Sequence, residues 1–187
     1  MPRLKRKLEK ILRVQMLLAL RSEPDKARLS LCVDDSDYPA TAAACPALEK
    51  RNMRVLEKGA TTLVTVENLA DKPRYLYVLG IDPAFGVAPI IPAPGTVDSK
   101  VDPLQAHRVP NDPLVPTSSG IYRFVTFATE ERIDAAAFEQ EGTKARGGTA
   151  CQSVLEKLIC DANRGKRDPS APRVGGWTSR IDTVLVK

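Results

Sequence analysis

The spacing of apolar residues changes along this chain. Over the first twenty residues, Leu4, Leu8, Ile11, Leu12, Leu18 and Leu20 recur at helical spacing, with Lys5, Arg6, Lys10 and Arg13 on the other faces. This pattern predicts an amphipathic helix of about five turns. Glu23-Pro24 ends it. Further on, the pattern shortens to strand-like runs. Residues 61–67 are β-branched and lie between Gly59 and Asn68. Residues 75–82 read YLYVLGID, the most strand-like run in the chain. Residues 87–91 follow a turn built from Asp82, Pro83 and Gly86, and Pro92-Ala93-Pro94-Gly95 stops them. Val, Ile, Thr and Tyr suit a pleated, half-buried surface, and Asn, Asp, Gly and Pro supply the turns.

Shorter strands are expected at 29–33, 53–56 and 105–109, and longer ones at 121–128 and 181–186, with Trp177 near the start of the last. Alternation in 75–82 puts Tyr75, Tyr77 and Leu79 on one face and Leu76, Val78 and Gly80 on the other. Both faces are largely apolar, so this strand should be central and covered on both sides. A second helix is expected over 149–163. Thr149 and Gln152 have capping-box spacing, Cys151, Val154, Leu155, Leu158 and Ile159 form a stripe, and Gly165 sits at the C-terminal cap. That helix is the expected cover for the central strand. Residues 133–139 read as a short helical segment.

Close-set short strands argue for antiparallel pairing. The fold class expected is all-β: an immunoglobulin-like antiparallel sandwich with an N-terminal amphipathic helix and one packed C-terminal helix. Residues 1–22 form the helix or connector, an appendage, and residues 23–187 the sandwich domain. A chain of 187 residues can bury a sizeable core.

Charge sharpens this division. Residues 1–21 carry seven Lys/Arg and one Glu, which leaves 21 basic and 22 acidic side chains in the remainder. The positive charge belongs to one end, and the body is balanced. A nucleic-acid-binding domain spreads basic groups over a folded face, so no nucleic-acid partner is expected. The basic helix either packs on the sandwich or a neighbouring domain, or makes a weak membrane-surface contact through residues 1–21. No apolar run is long enough to span a bilayer and no signal peptide is evident, so the expected location is cytoplasmic.

Candidate chemistry is sparse. The four cysteines, Cys32, Cys45, Cys151 and Cys160, include no Cys-x-x-Cys pair. No metal site and no cofactor is therefore expected. Cys32 and Cys45 flank a loop and could meet, but reduced thiols are the default without secretion. Asp34, Asp35 and Asp37 form an acidic tip that lacks the Gly and bidentate Glu of a calcium loop. His107 and Cys151 are the one pair worth testing as a cysteine-peptidase dyad. A cysteine at a helix N-terminus would have a lowered pKa. Yet His107 is followed by Arg108, and no glycine-based oxyanion site accompanies Cys151, so the chain as it stands is not expected to be an enzyme.

Residues 59–139 resemble the β-sandwich domain of unknown function that follows the peptidase domain in many bacterial caspase-like, metacaspase-related proteins. The resemblance rests on Gly59 and the strand after it with Asn68 at its end, on Tyr75-x-Tyr77-Val78, on the segment from Val87 to Pro92, on Gly120 leading into a strand that ends in Ala128-Thr129, and on the short helix after Ile133. It covers somewhat less than half of the chain, and its motifs are structural. It implies a non-catalytic accessory or recognition domain that binds or positions a protein partner, or regulates the peptidase. The alternative is an independent sandwich that binds a peptide or glycan.

Overall fold

The computed structural model describes residues 2–20, 26–33, 53–92, 99–108, 114–133 and 176–187. These form one helix and nine strands in two sheets, an all-β fold apart from α1 (Pro2–Leu18). The smaller sheet has β3 (Thr62–Asn68) between β1 (Ala27–Val33) and β7 (Ala106–Arg108), both pairings antiparallel. The larger sheet has β2 (Arg54–Leu56), β9 (Trp177–Val186), β8 (Gly120–Thr129), β4 (Arg74–Ile81) and β5 (Val87–Ile91) in that order, and β6 (Lys100–Val101) also pairs with β4. Every pairing there is antiparallel except β2 with β9.

The expected central strand is β4. It lies between β8 and β5, and Tyr77, Leu76, Val78 and Leu79 are all dry. Its alternation is the predicted one. Leu76 and Val78 join Leu29, Leu31, Val64, Val66, Phe124 and Val184 in a core shared by the two sheets. Tyr77 and Leu79 face the other way, into a second core with Val125, Phe127, Trp177 and Ile133.

Residues of α1 complete that second core: Val14, Leu17 and Leu20 are buried in it. The Leu20 carbonyl accepts a hydrogen bond from Ser179 Oγ at 3.0 Å, which ties the end of the helical segment to β9. The appendage reading of residues 1–22 does not hold for this half. The outer face of the large sheet is too apolar to stand in water, and α1 supplies cover for it. The helix expected over 149–163 lies outside the described residues, as do residues 134–139.

Most strands sit within a residue or two of the expected bounds. Two differ more. β9 begins at Trp177, four residues before the expected strand, because its polar start, Thr178-Ser179-Arg180, is held in register by β8. β6 was not expected at all, since two residues carry no period. Gly120 is needed where β8 begins. Its φ is +135°, and a Cβ there would approach Pro83 Cγ to 2.8 Å.

Asn68 closes one end of the smaller sheet. Its side-chain amide donates to the carbonyls of Lys72 and Val101, both at 2.9 Å, and its Oδ1 accepts from the Ala70 N–H at 3.0 Å. A buried amide with every donor used fixes the 69–72 turn and seats β6 beside it.

Candidate interaction surface

The outer face of the large sheet changes along β8. Phe127 and Val125 are fully buried, Arg123 is half-buried, and Ile121 is 41 % exposed. All four point to the same side because strand side chains alternate with period two. Cross-strand pairing extends Ile121 into a row: Ile121 sits opposite Leu185, and Leu185 opposite Val55 on β2. Val55 and the neighbouring Met53 are each 46 % exposed, and Leu185 is half-buried. The result is an apolar strip across three strands, at the end of the sheet away from the residues that α1 covers. The sequence carries a trace of it. Val55 and Ile121 are apolar residues in the phase opposite to Leu56 and Tyr122, which face the shared core. An apolar residue in both phases of a strand marks a face with something to cover.

The dry end of this face is held by polar anchors as well as packing. The Tyr77 hydroxyl accepts from the Ile133 N–H at 2.7 Å and donates to the Ile133 carbonyl at 3.1 Å. Burial pushes its phenol above the usual 10.0, only partly offset by that bond to Ile133. Phe127 and Trp177 pack with ring centroids 6.1 Å apart. Arg74 pairs with Glu130 at 2.8 Å, and the Glu130 N–H donates to the Gly176 carbonyl at 2.8 Å.

On the inner side of β9, Arg180 and Asp182 form a bidentate pair with contacts of 2.7–2.9 Å, and Asp182 is buried. The Thr126 hydroxyl, opposite Arg180 on β8, is buried without a hydrogen bond. An inward charge on a strand with only a short neighbour blocks edge-to-edge pairing with another chain. Among the described residues β2 reaches only Val184, Leu185 and Val186, so the Arg180–Asp182 pair lies on the unflanked part of β9.

Of the residues considered for catalysis, His107 lies in β7 opposite Val66, half-buried. Cys151 falls outside the described residues, as do Cys45, Cys160 and the acidic tip at Asp34, Asp35 and Asp37. Of the suspected dyad, only His107 lies among the described residues. Cys32 sits in β1 opposite Leu63. Among the described residues no three His, Cys, Asp or Glu side chains cluster as metal ligands, and no helix is long and apolar enough to cross a membrane.

No protein-family model matches the chain, and no curated protein matches it either.

Proposed function

We propose that this chain is a non-catalytic recognition domain with an immunoglobulin-like sandwich fold, accessory to a bacterial caspase-like peptidase, and that it binds or positions a protein partner or regulates the peptidase. The observation that carries this reading is the Val55–Leu185–Ile121 strip with Met53 beside it, a cross-strand apolar surface open to water. An exposed apolar patch of this kind is a common mark of protein contact. The family part of the reading rests on the resemblance of residues 59–139. The immunoglobulin-like part is supported by Tyr122. It lies near the start of β8, and its hydroxyl donates to the Ser118 carbonyl four residues upstream at 3.1 Å. That bond resembles the tyrosine corner of such sandwiches. A glycan-binding reading would need exposed rings, and each aromatic side chain among the described residues is buried or half-buried.

The test is calorimetric titration of the chain with a purified bacterial caspase-like peptidase. Val55→Asp and Ile121→Asp should each abolish the binding heat while leaving the thermal unfolding profile in place. The opposite result is stoichiometric labelling of Cys151 by a thiol-directed peptidase probe, lost in His107→Ala. That would make the chain an enzyme and sink the proposal.

A further inference from the structure

The two halves of α1 differ in how far their apolar residues are covered. At 100° per residue, Leu4, Leu8 and Leu12 fall within one quadrant, with Ile11 just beside it. The buried Val14 and Leu17 fall on the other side, toward β4, β8 and β9, while the row of Leu4, Leu8 and Leu12 runs on into buried Met16. Leu4, Leu8 and Leu12 are 65 %, 57 % and 55 % exposed. The stripe is therefore the uncovered N-terminal part of a row that is packed only from Met16 onward. The segment is held to the body of the protein through Leu20 and Ser179.

Charge decides what suits this stripe. The positions of Lys5 and Lys7 flank it on either side, and Lys7 and Lys10 are exposed. The first turn of α1 holds no acidic residue and its last turn no basic one. This is the reverse of what the helix dipole favours. The basic residues thus oppose the stability of the helix they sit on, and the cost is relieved where an anion meets the N-terminal end. A second copy would bring six helical Lys/Arg against the same six, which disfavours pairing of like helices. A nucleic acid would meet the charge but give the leucines no apolar medium. An anionic bilayer meets both demands: leucines enter the acyl boundary, and flanking lysine stems carry their ammonium groups out to the headgroups.

We propose that α1 docks on an anionic lipid surface through Leu4, Leu8 and Leu12, with Lys7 beside them engaging the headgroups. Three leucines make this a reversible contact rather than an anchor. It is independent of the strip on the large sheet and of the peptidase reading.

Vesicle co-sedimentation of the full chain tests it, using phosphatidylcholine vesicles with and without phosphatidylserine. Binding should require phosphatidylserine and weaken with added salt. Leu8→Ser should reduce it roughly tenfold or more, the expected loss for one buried leucine. Lys7→Glu should reduce it as well, and is compatible with folding because the side chain is exposed and Glu is a good helix former. Unchanged thermal unfolding in both variants separates loss of docking from loss of fold. Three results would overturn the proposal. One is equal sedimentation with neutral vesicles. Another is anionic binding insensitive to Leu8→Ser and competed by duplex DNA, which is bare charge attraction. The third is dimerisation in sedimentation velocity that Leu8→Ser abolishes, which assigns the stripe to a second copy.

Discussion

The outer face of the large sheet, with the helix above it, has a dry end and a wet end built from the same kinds of residue. At the dry end Val14 and Leu17 of α1 meet Tyr77, Leu79, Val125 and Phe127, all buried. At the wet end Leu4, Leu8 and Leu12 of the same helix, and Val55 and Ile121 of the same sheet, are exposed by 41–65 %. Apolar character is equal at the two ends, so composition does not account for the difference. What differs is reach. The helix is fixed to the sheet at its last turn, and its earlier turns project beyond the strands that could cover them. Burial goes to the residues that face a partner element within contact distance. The remaining apolar residues are what the protein offers to other surfaces.

Removing α1 is the strongest way to break this contrast. Deletion of residues 1–20 strips Val14, Leu17 and Leu20 from the second core, at about 1.5–3 kcal/mol for each buried side chain. Newly exposed sheet adds to that. The loss is comparable with the whole stability of a typical domain. Near-ultraviolet circular dichroism and urea unfolding should show a molten or unfolded chain. A truncated chain with the full-length midpoint would show that the dry end does not depend on the helix.

A sharper comparison stays on one strand and one face. Phe127→Ala should destabilise by about 3–5 kcal/mol, whereas Ile121→Ala should stay within about 0.5 kcal/mol. Denaturant midpoints read both, and equal costs would mean that Ile121 is covered in solution. On the helix, Leu17→Ala should cost about 2–5 kcal/mol and Leu8→Ala about 0.5 kcal/mol or less, by the same measurement.

A smaller core effect concerns Tyr77. Tyr77→Phe removes the hydroxyl that satisfies both backbone groups of Ile133, at about 1–3 kcal/mol. It should also change the pH dependence. The phenol is raised above its usual 10.0 by burial, so the folded state holds its proton longer than the unfolded state does. Stability from this group is complete below pH 10.0 and is lost as pH climbs through the higher folded value. Wild-type unfolding free energy should fall in that alkaline window, and Tyr77→Phe should flatten the fall. Identical alkaline slopes would mean that the hydroxyl is not buried as described.

Much of this architecture could be read from the residues themselves. The alternation of Tyr75 to Val78, the turn at Asp82, Pro83 and Gly86, and the run at β8 depend on local sterics and on period-two burial, which the sequence states directly. Asn68 was visible as a strand end, though not as the amide that joins three segments. His107 and Cys151 drew attention as residue types, but spacing alone says nothing of whether two side chains meet. Tertiary structure decided the rest. The parallel pairing of β2 with β9 joins residues over a hundred positions apart. The polar start of β9 became strand because β8 supplied hydrogen-bond partners for it. Periodicity marked α1 as amphipathic, yet it could not say that Val14, Met16, Leu17 and Leu20 would be buried while Leu4, Leu8 and Leu12 would not. A hydrophobic pattern records which residues gain by leaving water. Only the packed chain determines which of them find a surface within reach.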